Sequence, residues 1–211
     1  MQPLAIRMRP KTIDDIIGQQ HILNKDSLLY KMIKNDTLSS ILLYGPPGTG
    51  KTTIAQVIAN TTNAEFEKLN AVAAGKKDIE SVCKRAQKNL ETNIKTILFI
   101  DEIHRFNKAQ QDYLLPFVED GTVTLIGATT ENPFFEVNPA LVSRSILFEL
   151  KPVQSDDIRR LIKKALIDSE NGLGDKHFTI DEDAAVLLSE QANGDIRHAL
   201  SMLELAALKI D

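Results

Sequence analysis

The sequence predicts an α/β fold, in which helices flank a mostly parallel five-stranded sheet and a small all-helical domain follows. Three observations support this prediction. Short β-rich runs alternate with helical patterns up to about residue 150. Two of these runs, ILLY and ILFI, are continuously apolar, which is typical of strands buried on both faces of a parallel sheet. After about residue 152 only amphipathic helical patterns remain.

The elements follow one another in a regular order. The predicted strands are SSILLYG, FEKLN, TILFID, TVTLIGATT and SILFEL. The predicted helices lie at about residues 51–61, 78–92, 107–118, 155–168, 181–192 and 194–209. The motifs SDDI and DEDA signal helix starts in the last part of the chain, and NGLGD breaks the pattern between them. We therefore predict an α/β domain over residues 1–151 and a helical domain over residues 152–211.

The composition is that of an ordinary globular protein. Of the 211 residues, 43% are hydrophobic and 26% are charged. No apolar run approaches the roughly 18 residues that a membrane-spanning helix needs, and the start MQPLAIRMRP lacks the apolar stretch of a signal peptide. The single cysteine, Cys83, shares a helical face with Ile79, Val82 and Ala86, so we expect a buried structural thiol. These features predict a cytoplasmic protein that does not interact with membranes.

The formal net charge of −4 argues against a protein that coats nucleic acid without specificity. Residues 76–95 nevertheless carry six basic and three acidic side chains, a local excess of three. Two interpretations of this segment stay open. It is either a solvated helix face or a local patch that contacts nucleic acid.

A phosphate-binding pattern occupies residues 45–52, where GPPGTGKT fits G-x-x-x-x-G-K-[ST]. It follows the apolar strand ILLY and precedes the helical segment TTIAQVIAN, which is the context that the pattern requires. Its glycines allow backbone N–H groups to turn toward phosphates, and the helix N-terminus favours anions. Lys51 is predicted to reach the β- and γ-phosphates and Thr52 to bind Mg²⁺. The predicted nucleotide site comprises Gly45, Pro46, Pro47, Gly48, Thr49, Gly50, Lys51, Thr52 and Thr53.

A pair of carboxylates ends the apolar strand TILFID. Such groups, at the carboxyl edge of a parallel sheet, face the crevice in which ligands bind. Asp101 is predicted to hold Mg²⁺ through water, and Glu102 to orient and polarise an attacking water molecule. The pair alone is a weak signal, but about fifty residues after a phosphate-binding loop it becomes strong. Hydride transfer is excluded, because the sequence contains no G-x-G-x-x-G.

The strand TLIGATTEN ends in two threonines, Thr129 and Thr130. Either hydroxyl is a candidate to hydrogen-bond the attacking water or the γ-phosphate. The alternative is a threonine-rich turn that only closes the strand.

His104, in the motif DEIH, is expected to be structural or to couple the site to its neighbours rather than to be catalytic. Phe134 and Phe135 are expected to be packing residues, with base stacking as the alternative.

The order of these motifs resembles the AAA+ ATPases, which share the succession GPPGTGKT, DEIH, GATT, SR and a helical tail with GDIRHAL. The start, RMRPKTIDDIIGQ, resembles the adenine-side segment of the clamp-loader branch. The central run resembles the replication-associated recombination protein A family, bacterial relatives of the Werner-helicase-interacting protein. The motifs RFNK, QQD, VEDG and ATTENP distinguish it from ordinary clamp-loader subunits, and RFNK and ENP distinguish it from the Holliday-junction branch-migration motor. The resemblance covers essentially the whole chain.

The resemblance assigns roles to residues that match its motifs. Residues 45–52 match Walker A, and Asp101 and Glu102 match Walker B. Thr130 matches the sensor-1 position, with Thr129 as the alternative. The adenine would be flanked by Arg9, Pro10, Ile17 and Gly18. Asn70, at the end of FEKLN, resembles the polar residue that restrains the Walker B glutamate.

Two arginines gain roles in the same way. Arg144, in SRS, has no acidic residue within the preceding helical turn and matches an arginine finger, which serves the ATP of a neighbouring subunit. The alternative is a surface arginine that caps the short helix NPALVS. Arg197 matches the sensor-2 arginine. It lies off the apolar stripe of its helix, and a solvent-facing arginine is the alternative.

The implied function is Mg²⁺-dependent ATP hydrolysis by a clamp-loader-like module in DNA replication, recombination and repair at stalled forks. The implied partners are further copies of the chain with shared ATP sites, single-stranded, forked or gapped DNA, and single-strand-binding protein, in a nucleoid-associated location. Family members continue into a helical region used for oligomerisation, so we expect a fragment of a longer protein. The alternatives are an ATP-binding switch or adaptor with little hydrolysis, and a branch-migration or clamp-loader-type motor subunit.

Overall fold

The structure is a computed structural model that describes residues 2–210. The chain divides into two compact units. The sheet unit comprises residues 20–45 and 51–150, and the helical unit comprises the chain up to Gln19, the loop Pro46–Gly50 and the chain from Lys151 onward. The predicted domains, residues 1–151 and 152–211, are not tested by this division into compact units, and they stay a prediction. Across residues 2–210, no helix combines the length and the apolar character that crossing a membrane requires.

The sheet unit is built on five parallel strands. In chain order they are β1 (Ile41–Tyr44), β2 (Glu65–Asn70), β3 (Thr96–Asp101), β4 (Thr124–Thr129) and β5 (Ile146–Glu149). Their order across the sheet is β2-β3-β4-β1-β5. The predicted α/β fold with a five-stranded sheet is thus confirmed.

In chain order the helices are α1 (Leu4–Arg7), α2 (Gln20–Leu23), α3 (Leu28–Lys34), α4 (Lys51–Thr61), α5 (Lys76–Glu91), α6 (Lys108–Glu119), α7 (Pro133–Glu136), α8 (Pro139–Val142), α9 (Ser155–Ile167), α10 (Glu182–Gln191) and α11 (Ile196–Leu208). Six of the helices, α4, α5, α6, α9, α10 and α11, match the six predicted ones to within two residues at each end. The sequence did not predict α1, α2, α3 and α7. These helices have four to seven residues, too few for a helical period to be recognised.

The two Asn-Pro pairs in ENPFFEVNPALVSR explain the short helices that follow β4. Asn132 and Asn138 each accept a backbone N–H of the turn that follows, at 3.0 and 2.8 Å. The proline after each asparagine has no N–H to leave unsatisfied in the first helical turn. Each pair therefore starts a helix, α7 and then α8, and Arg144 lies just beyond the second.

One buried cluster of the sheet unit lies where α5 and α6 pack on the central strands. Leu42, Leu98 and Leu125 from these strands are fully buried there. Cys83 on α5 is also fully buried, and burial raises the pKa of its thiol to about 11. The expected structural thiol therefore stays protonated at neutral pH.

The helical unit has a separate core around α9 and α11. Of the apolar stripe predicted on α11, Leu200, Leu203 and Ala207 are buried and Ile196 is half-buried. Helix α1 joins this core through Leu4, which is fully buried and whose backbone N–H donates to Glu204 Oε1 at 2.9 Å. The N-terminal residues are thereby part of the same compact unit as the last three helices.

Gly127 in the middle of β4 allows the turn after β3 to lie directly on the sheet. A Cβ at this position would be 2.5 Å from Leu42 Cδ2 and 3.1 Å from Ile103 Cδ1. Both neighbours are fully buried and have no space to move away. The absence of a side chain at Gly127 therefore lets Ile103, and with it the residues on either side, approach β4 closely.

Replacing Gly127 by alanine should destabilise the protein by overpacking. We expect Gly127→Ala to lower the free energy of unfolding by about 1–3 kcal/mol, measured by urea denaturation followed by circular dichroism. Gly75→Ala is the matched control, because a Cβ there would meet only Asp78 Oδ2, at 3.8 Å. That control should cost a few tenths to about 1 kcal/mol, as an exchange at a helix cap. Unfolding curves for Gly127→Ala that coincide with those of the parent chain would contradict the account.

Candidate active site

The phosphate-binding loop begins at Gly45, in a space that only glycine fits. The N–H of Gly45 donates to the carbonyl of Thr129, at 3.2 Å, so the end of β1 is fixed to the end of β4. The φ of Gly45 is +143°, and a side chain there would clash with the carbonyl of Leu150. The first glycine of the pattern is thus required both by its backbone angle and by its neighbours.

Lys51 is held inward at the first position of α4. Its side chain is buried, with the residue only 7% exposed, and Nζ donates to the carbonyl of Gly45 at 2.7 Å. The ammonium therefore lies at the inner side of the loop, where a bound phosphate would gain from its charge. Thr52 and Thr53 follow in the first turn of α4 and are half-buried.

The tip of the loop, Pro46–Gly50, belongs to the helical unit. Thr49 is almost fully buried, and its hydroxyl donates to the carbonyl of Pro46 at 2.8 Å. The side-chain amide of Gln19 donates to the carbonyls of Thr49 and Lys151, at 3.1 and 2.7 Å, and accepts the N–H of Lys151 at 3.0 Å. Gln19 thus fixes the loop tip to the chain after β5. Sequence reasoning missed this role, because nothing local distinguishes a buried glutamine from the usual exposed one.

Helix α11 begins against the same loop tip. The N–H of Ile196 donates to the carbonyl of Gly48 at 3.1 Å. Gly48 has a φ of +71°, and a side chain there would clash with the carboxyl group of Asp195. Asp195 in turn caps α11 by accepting the N–H of His198 at 2.9 Å. Gly48 is therefore required where the helix N-terminus and the loop meet.

The remaining predicted residues of the helical unit lie partly at its surface. Arg197, in the first turn of α11, is exposed, and among residues 2–210 its side chain has no ion pair or hydrogen bond. Arg9 is exposed, while Pro10, Ile17 and Gly18 are half-buried. Gly18 has a φ of +74° and packs against Val153. Their assigned roles around the nucleotide stay predictions.

The carboxylate pair lies at the carboxyl edge of the sheet, as expected. Asp101 is the last residue of β3 and is half-buried. Glu102 follows it with a φ of +55°, in the left-handed region that non-glycine residues rarely adopt. This conformation turns the chain sharply into the short turn Ile103–Arg105. Backbone strain of this kind costs of order 1–3 kcal/mol and is concentrated at functional sites.

Glu102 is surrounded by polar groups from two elements. His104 Nε2 lies 3.4 Å from Glu102 Oε2, and Thr130 Oγ1 donates to the same oxygen at 3.5 Å. His104 Nδ1 is 2.7 Å from Thr129 Oγ1. The carboxylate is about 30% exposed, whereas the His104 side chain is 6% exposed. Glu102 therefore combines access to solvent with a fixed, polar surrounding.

The two threonines at the end of β4 have different environments. Thr129 is fully buried, and its hydroxyl contacts His104 and accepts the N–H of Glu131 at 3.0 Å. Thr130 is half-buried and adjoins Glu102. This difference favours Thr130 over Thr129 for contact with water or phosphate. Asn70 lies opposite Asp101 in the sheet, and its Oδ1 accepts the N–H of Val72 at 2.9 Å; its predicted restraint of Glu102 stays a prediction.

A magnesium site at this edge would be made of few protein groups. Among residues 2–210, no group of three or more histidine, cysteine, aspartate or glutamate side chains could hold a metal ion alone. Magnesium at nucleotide sites commonly takes one or two protein oxygens, with phosphate and water completing its coordination. The assignment of the Thr52 hydroxyl and the Asp101 carboxylate to this role stays a prediction.

Arg144 is paired, although its local sequence predicts no partner. Its Nη2 lies 2.5 Å from Glu119 Oε1 at the end of α6, and its Nη1 donates to the carbonyl of Ala140 at 2.9 Å and to Ser143 Oγ at 3.1 Å. Both side chains of the ion pair are 40% or more exposed. The sequence could not show this partner, because Glu119 is far from Arg144 along the chain.

The two phenylalanines of ENPFFEV are not packed. Phe134 is 66% exposed and Phe135 is 83% exposed. The expectation that they are packing residues is wrong. Helix α7 has only one turn, and within it Pro133 occupies the buried position.

Comparisons with known proteins agree with this architecture. Residues 41–151 match the family model "ATPase family associated with various cellular activities (AAA)". The chain belongs to the AAA family. Membership in this family supports nucleotide binding and ATPase activity in general. The matched residues span the phosphate-binding loop, the carboxylate pair and Arg144.

Relatives confirm the resemblance to the replication-associated recombination protein A family. Proteins of that name from Escherichia coli (strain K12) and Bacillus subtilis (strain 168) are both 47% identical to this AAA chain, over 98% and 99% of it. The ATPase WRNIP1 of Dictyostelium discoideum is also 47% identical, over 97% of the chain. The chain spans 46% of the E. coli protein, 48% of the B. subtilis protein and 23% of the Dictyostelium protein.

Solved structures with the same architecture include the Thermotoga maritima RuvB Holliday junction branch migration motor. It matches with a TM-score of 0.76 and 30% identity, covering 96% of this AAA chain and 68% of the RuvB chain. A mutant form of the same RuvB protein matches with a TM-score of 0.75 and 30% identity, covering 95% of this chain and 68% of its own. The AAA fold of the chain is therefore shared with a Holliday junction branch migration motor.

Proposed function

We propose that this chain hydrolyses ATP in the presence of Mg²⁺, as a clamp-loader-like AAA+ module. The observation that carries the proposal is the arrangement at one edge of the sheet. There the N–H of Gly45 donates a hydrogen bond to the carbonyl of Thr129, and Lys51 donates one to the carbonyl of Gly45. Glu102 lies beside Thr130 and His104. A phosphate-binding loop and a fixed carboxylate at the same strand ends are what phosphoryl transfer to water requires.

Phosphate binding falls to the loop and Lys51 in this proposal. Backbone N–H groups of residues 48–53 donate to phosphate oxygens, while Gly45, Pro46 and Pro47 shape the loop. The Lys51 ammonium exchanges the carbonyl of Gly45 for the β- and γ-phosphates and offsets their charge. Thr52 and Asp101 would hold the Mg²⁺, the latter through water. The ion, when bound, neutralises charge that develops on the phosphate oxygens.

Glu102 orients the attacking water in this proposal. Its carboxylate accepts a hydrogen bond from the water and directs the water's lone pair toward the γ-phosphorus. Thr130, whose hydroxyl already adjoins Glu102, contributes a second polar contact to the water or the γ-phosphate. For the helical unit we propose the roles that the resemblance implies: Arg9, Pro10, Ile17 and Gly18 flank the adenine, and Arg197 contacts the γ-phosphate.

Arg144 serves the ATP of a neighbouring copy of the chain in this proposal. Its position beyond α8 and its exposure support an external target, and so does the guanidinium's suitability for binding phosphate. Its ion pair with Glu119 is solvent-exposed, so breaking it costs little, at most about 1 kcal/mol. A homo-oligomer with shared ATP sites follows from this role.

The proposed setting is DNA replication, recombination and repair at stalled forks. It is supported by the names of the relatives and by the motor function named for RuvB. The proposed partners are single-stranded, forked or gapped DNA and single-strand-binding protein, with a nucleoid-associated location. Because the chain spans about half of its bacterial relatives, these whole-protein activities are proposals for a longer protein.

A second candidate function is an ATP-dependent binding switch with little hydrolysis. It is favoured by the pairing of Arg144 with Glu119, which keeps the proposed finger on its own chain. The two candidates differ in how the steady-state ATPase rate per subunit depends on protein concentration. A rate that rises with concentration supports the shared-site enzyme, whereas negligible, constant turnover at saturating ATP supports the switch.

Removing the carboxylate of Glu102 should stop turnover while leaving nucleotide binding intact. We expect Glu102→Gln to lower kcat by about 10²–10⁴-fold, the usual contribution of a general base. The release of phosphate from ATP and the affinity for a fluorescent ATP analogue are the two measurements. Glu91→Gln, the same change at an exposed position in the last turn of α5, is the matched control and should keep parental turnover. Parental turnover in Glu102→Gln would show that this carboxylate is not the base.

Removing Arg144 should affect only turnover that depends on oligomers. We expect Arg144→Ala to leave ATP affinity nearly unchanged and to lower the concentration-dependent rate by up to about 10³–10⁵-fold. Arg85→Ala is the matched control, since Arg85 is also exposed and forms an ion pair with Glu67 at the same distance, 2.5 Å. Mixing Arg144→Ala with Lys51→Ala should restore part of the activity, because mixed pairs contain one complete site. No rescue at any mixing ratio would count against action on a neighbour's ATP.

A further inference from the structure

We propose that His104 is a positioning residue, which connects the phosphate-binding loop to Glu102 through Thr129. The inference rests on the proposed role of Glu102 as the group that orients water. It assigns to His104 a defined tautomer, with the proton on Nε2, and a defined task, the orientation of the Glu102 carboxylate. Both parts follow from contacts within the sheet unit.

The connection runs through one residue at the end of β4. The carbonyl of Thr129 accepts the N–H of Gly45 at 3.2 Å, and the hydroxyl of Thr129 contacts His104 Nδ1 at 2.7 Å. Lys51 Nζ donates a hydrogen bond to the carbonyl of Gly45 at 2.7 Å. Lys51, Gly45, Thr129, His104 and Glu102 therefore form a continuous series of polar contacts. A shift of the loop on binding phosphate has a direct path to the carboxylate.

The hydrogen positions follow from what each group can donate. A threonine hydroxyl has one proton to donate and two lone pairs to accept with. One lone pair of Thr129 Oγ1 accepts the N–H of Glu131, at 3.0 Å. If Thr129 donates its proton to His104 Nδ1, the ring carries its own proton on Nε2. That N–H dipole then lies 3.4 Å from the Glu102 carboxylate and attracts it.

The opposite tautomer is less favourable. A neutral ring with its proton on Nδ1 would present the lone pair of Nε2 to the negatively charged oxygen of Glu102. Lone pair and carboxylate repel each other, and the effect is strong because the His104 side chain is only 6% exposed and water screens little. The arrangement of donors therefore selects the Nε2–H tautomer.

The backbone makes His104 a rigid link. Ile103, the residue before it, is fully buried against Gly127, and Glu102 has the left-handed conformation that starts the turn. The turn is closed by the N–H of Arg105 donating to the carbonyl of Glu102 at 2.8 Å. Since the ring has little freedom, a change at Thr129 reaches Glu102 as a change in the carboxylate's orientation.

Nuclear magnetic resonance tests the tautomer without any catalytic activity. The chain has four histidines, so their ring nitrogens can be resolved in a long-range ¹H–¹⁵N spectrum of the labelled protein at neutral pH. His104, assigned by its loss in His104→Gln, should show the Nε2–H pattern, and Thr129→Val and Glu102→Gln should both shift it. His21 is the internal control, because its Nε2 contacts the carbonyl of Glu149 at 2.7 Å, and it should not shift. A ring with the Nδ1–H pattern, or one unaffected by both substitutions, overturns the proposal.

Kinetics test the positioning role. We expect Thr129→Val and His104→Ala to lower kcat for ATP about 10- to 100-fold, the usual effect of an orienting partner, with KM little changed. His104→Gln, which can keep an N–H near Glu102, should recover part of kcat. Thr62→Val is the control for losing a buried hydroxyl and should keep parental kcat.

The outcomes separate this inference from the proposed function. Lower melting temperatures in Thr129→Val and His104→Gln with unchanged kcat would show a purely structural role and overturn the inference. If instead Glu102→Gln itself keeps parental turnover, the proposed role of Glu102 fails. The spectra still show whether His104 carries its proton on Nε2 and contacts Thr129 and Glu102. If His104→Ala does not fold, Thr129→Val and His104→Gln test the same link.

Discussion

The hydrogen bond from Gly45 to Thr129 is the contact on which the candidate site depends. It joins the ends of β1 and β4, two strands that pair in parallel register with Tyr44 opposite Thr129. Parallel pairing of β4 with β3 then places Asp101 and Glu102 at the same edge. The predicted phosphate-binding loop and the carboxylate that we propose orients water are therefore positioned by backbone hydrogen bonds, which side-chain exchange at the surface does not disturb.

Glycine makes this arrangement possible at two positions of the sheet unit. Gly45 leaves room for the carbonyl of Leu150, and Gly127 leaves room for Ile103. The second of these brings the turn after β3 onto β4, and so brings His104 to Thr129. The strained conformation of Glu102 is held in place by this packing, as expected where a functional residue departs from its preferred backbone angles.

The sequence predicted what depends on local pattern and missed what depends on distant side chains. Strands, long helices, the phosphate-binding loop and the carboxylate pair all have a period or spacing that can be recognised. The contacts of Gln19 with Thr49, of Arg144 with Glu119 and of His104 with Thr129 have none, because the partners lie 30, 25 and 25 residues apart along the chain. The exposure of Phe134 and Phe135 was missed for a related reason, since a one-turn helix has no face that a pattern can define.

We propose that this sheet edge binds the phosphates of ATP through Lys51, with Mg²⁺ held at Asp101. Calorimetric titration of ATP, with and without Mg²⁺, measures this binding. We expect saturable binding to the parent chain and to Lys31→Ala, an exposed control on α3, and at least about tenfold weaker binding to Lys51→Ala. We also expect Asp101→Asn to lose most of the gain in affinity from Mg²⁺. Absence of saturable binding to the parent chain, or equal affinity in Lys51→Ala, would show that phosphate is not bound in this way.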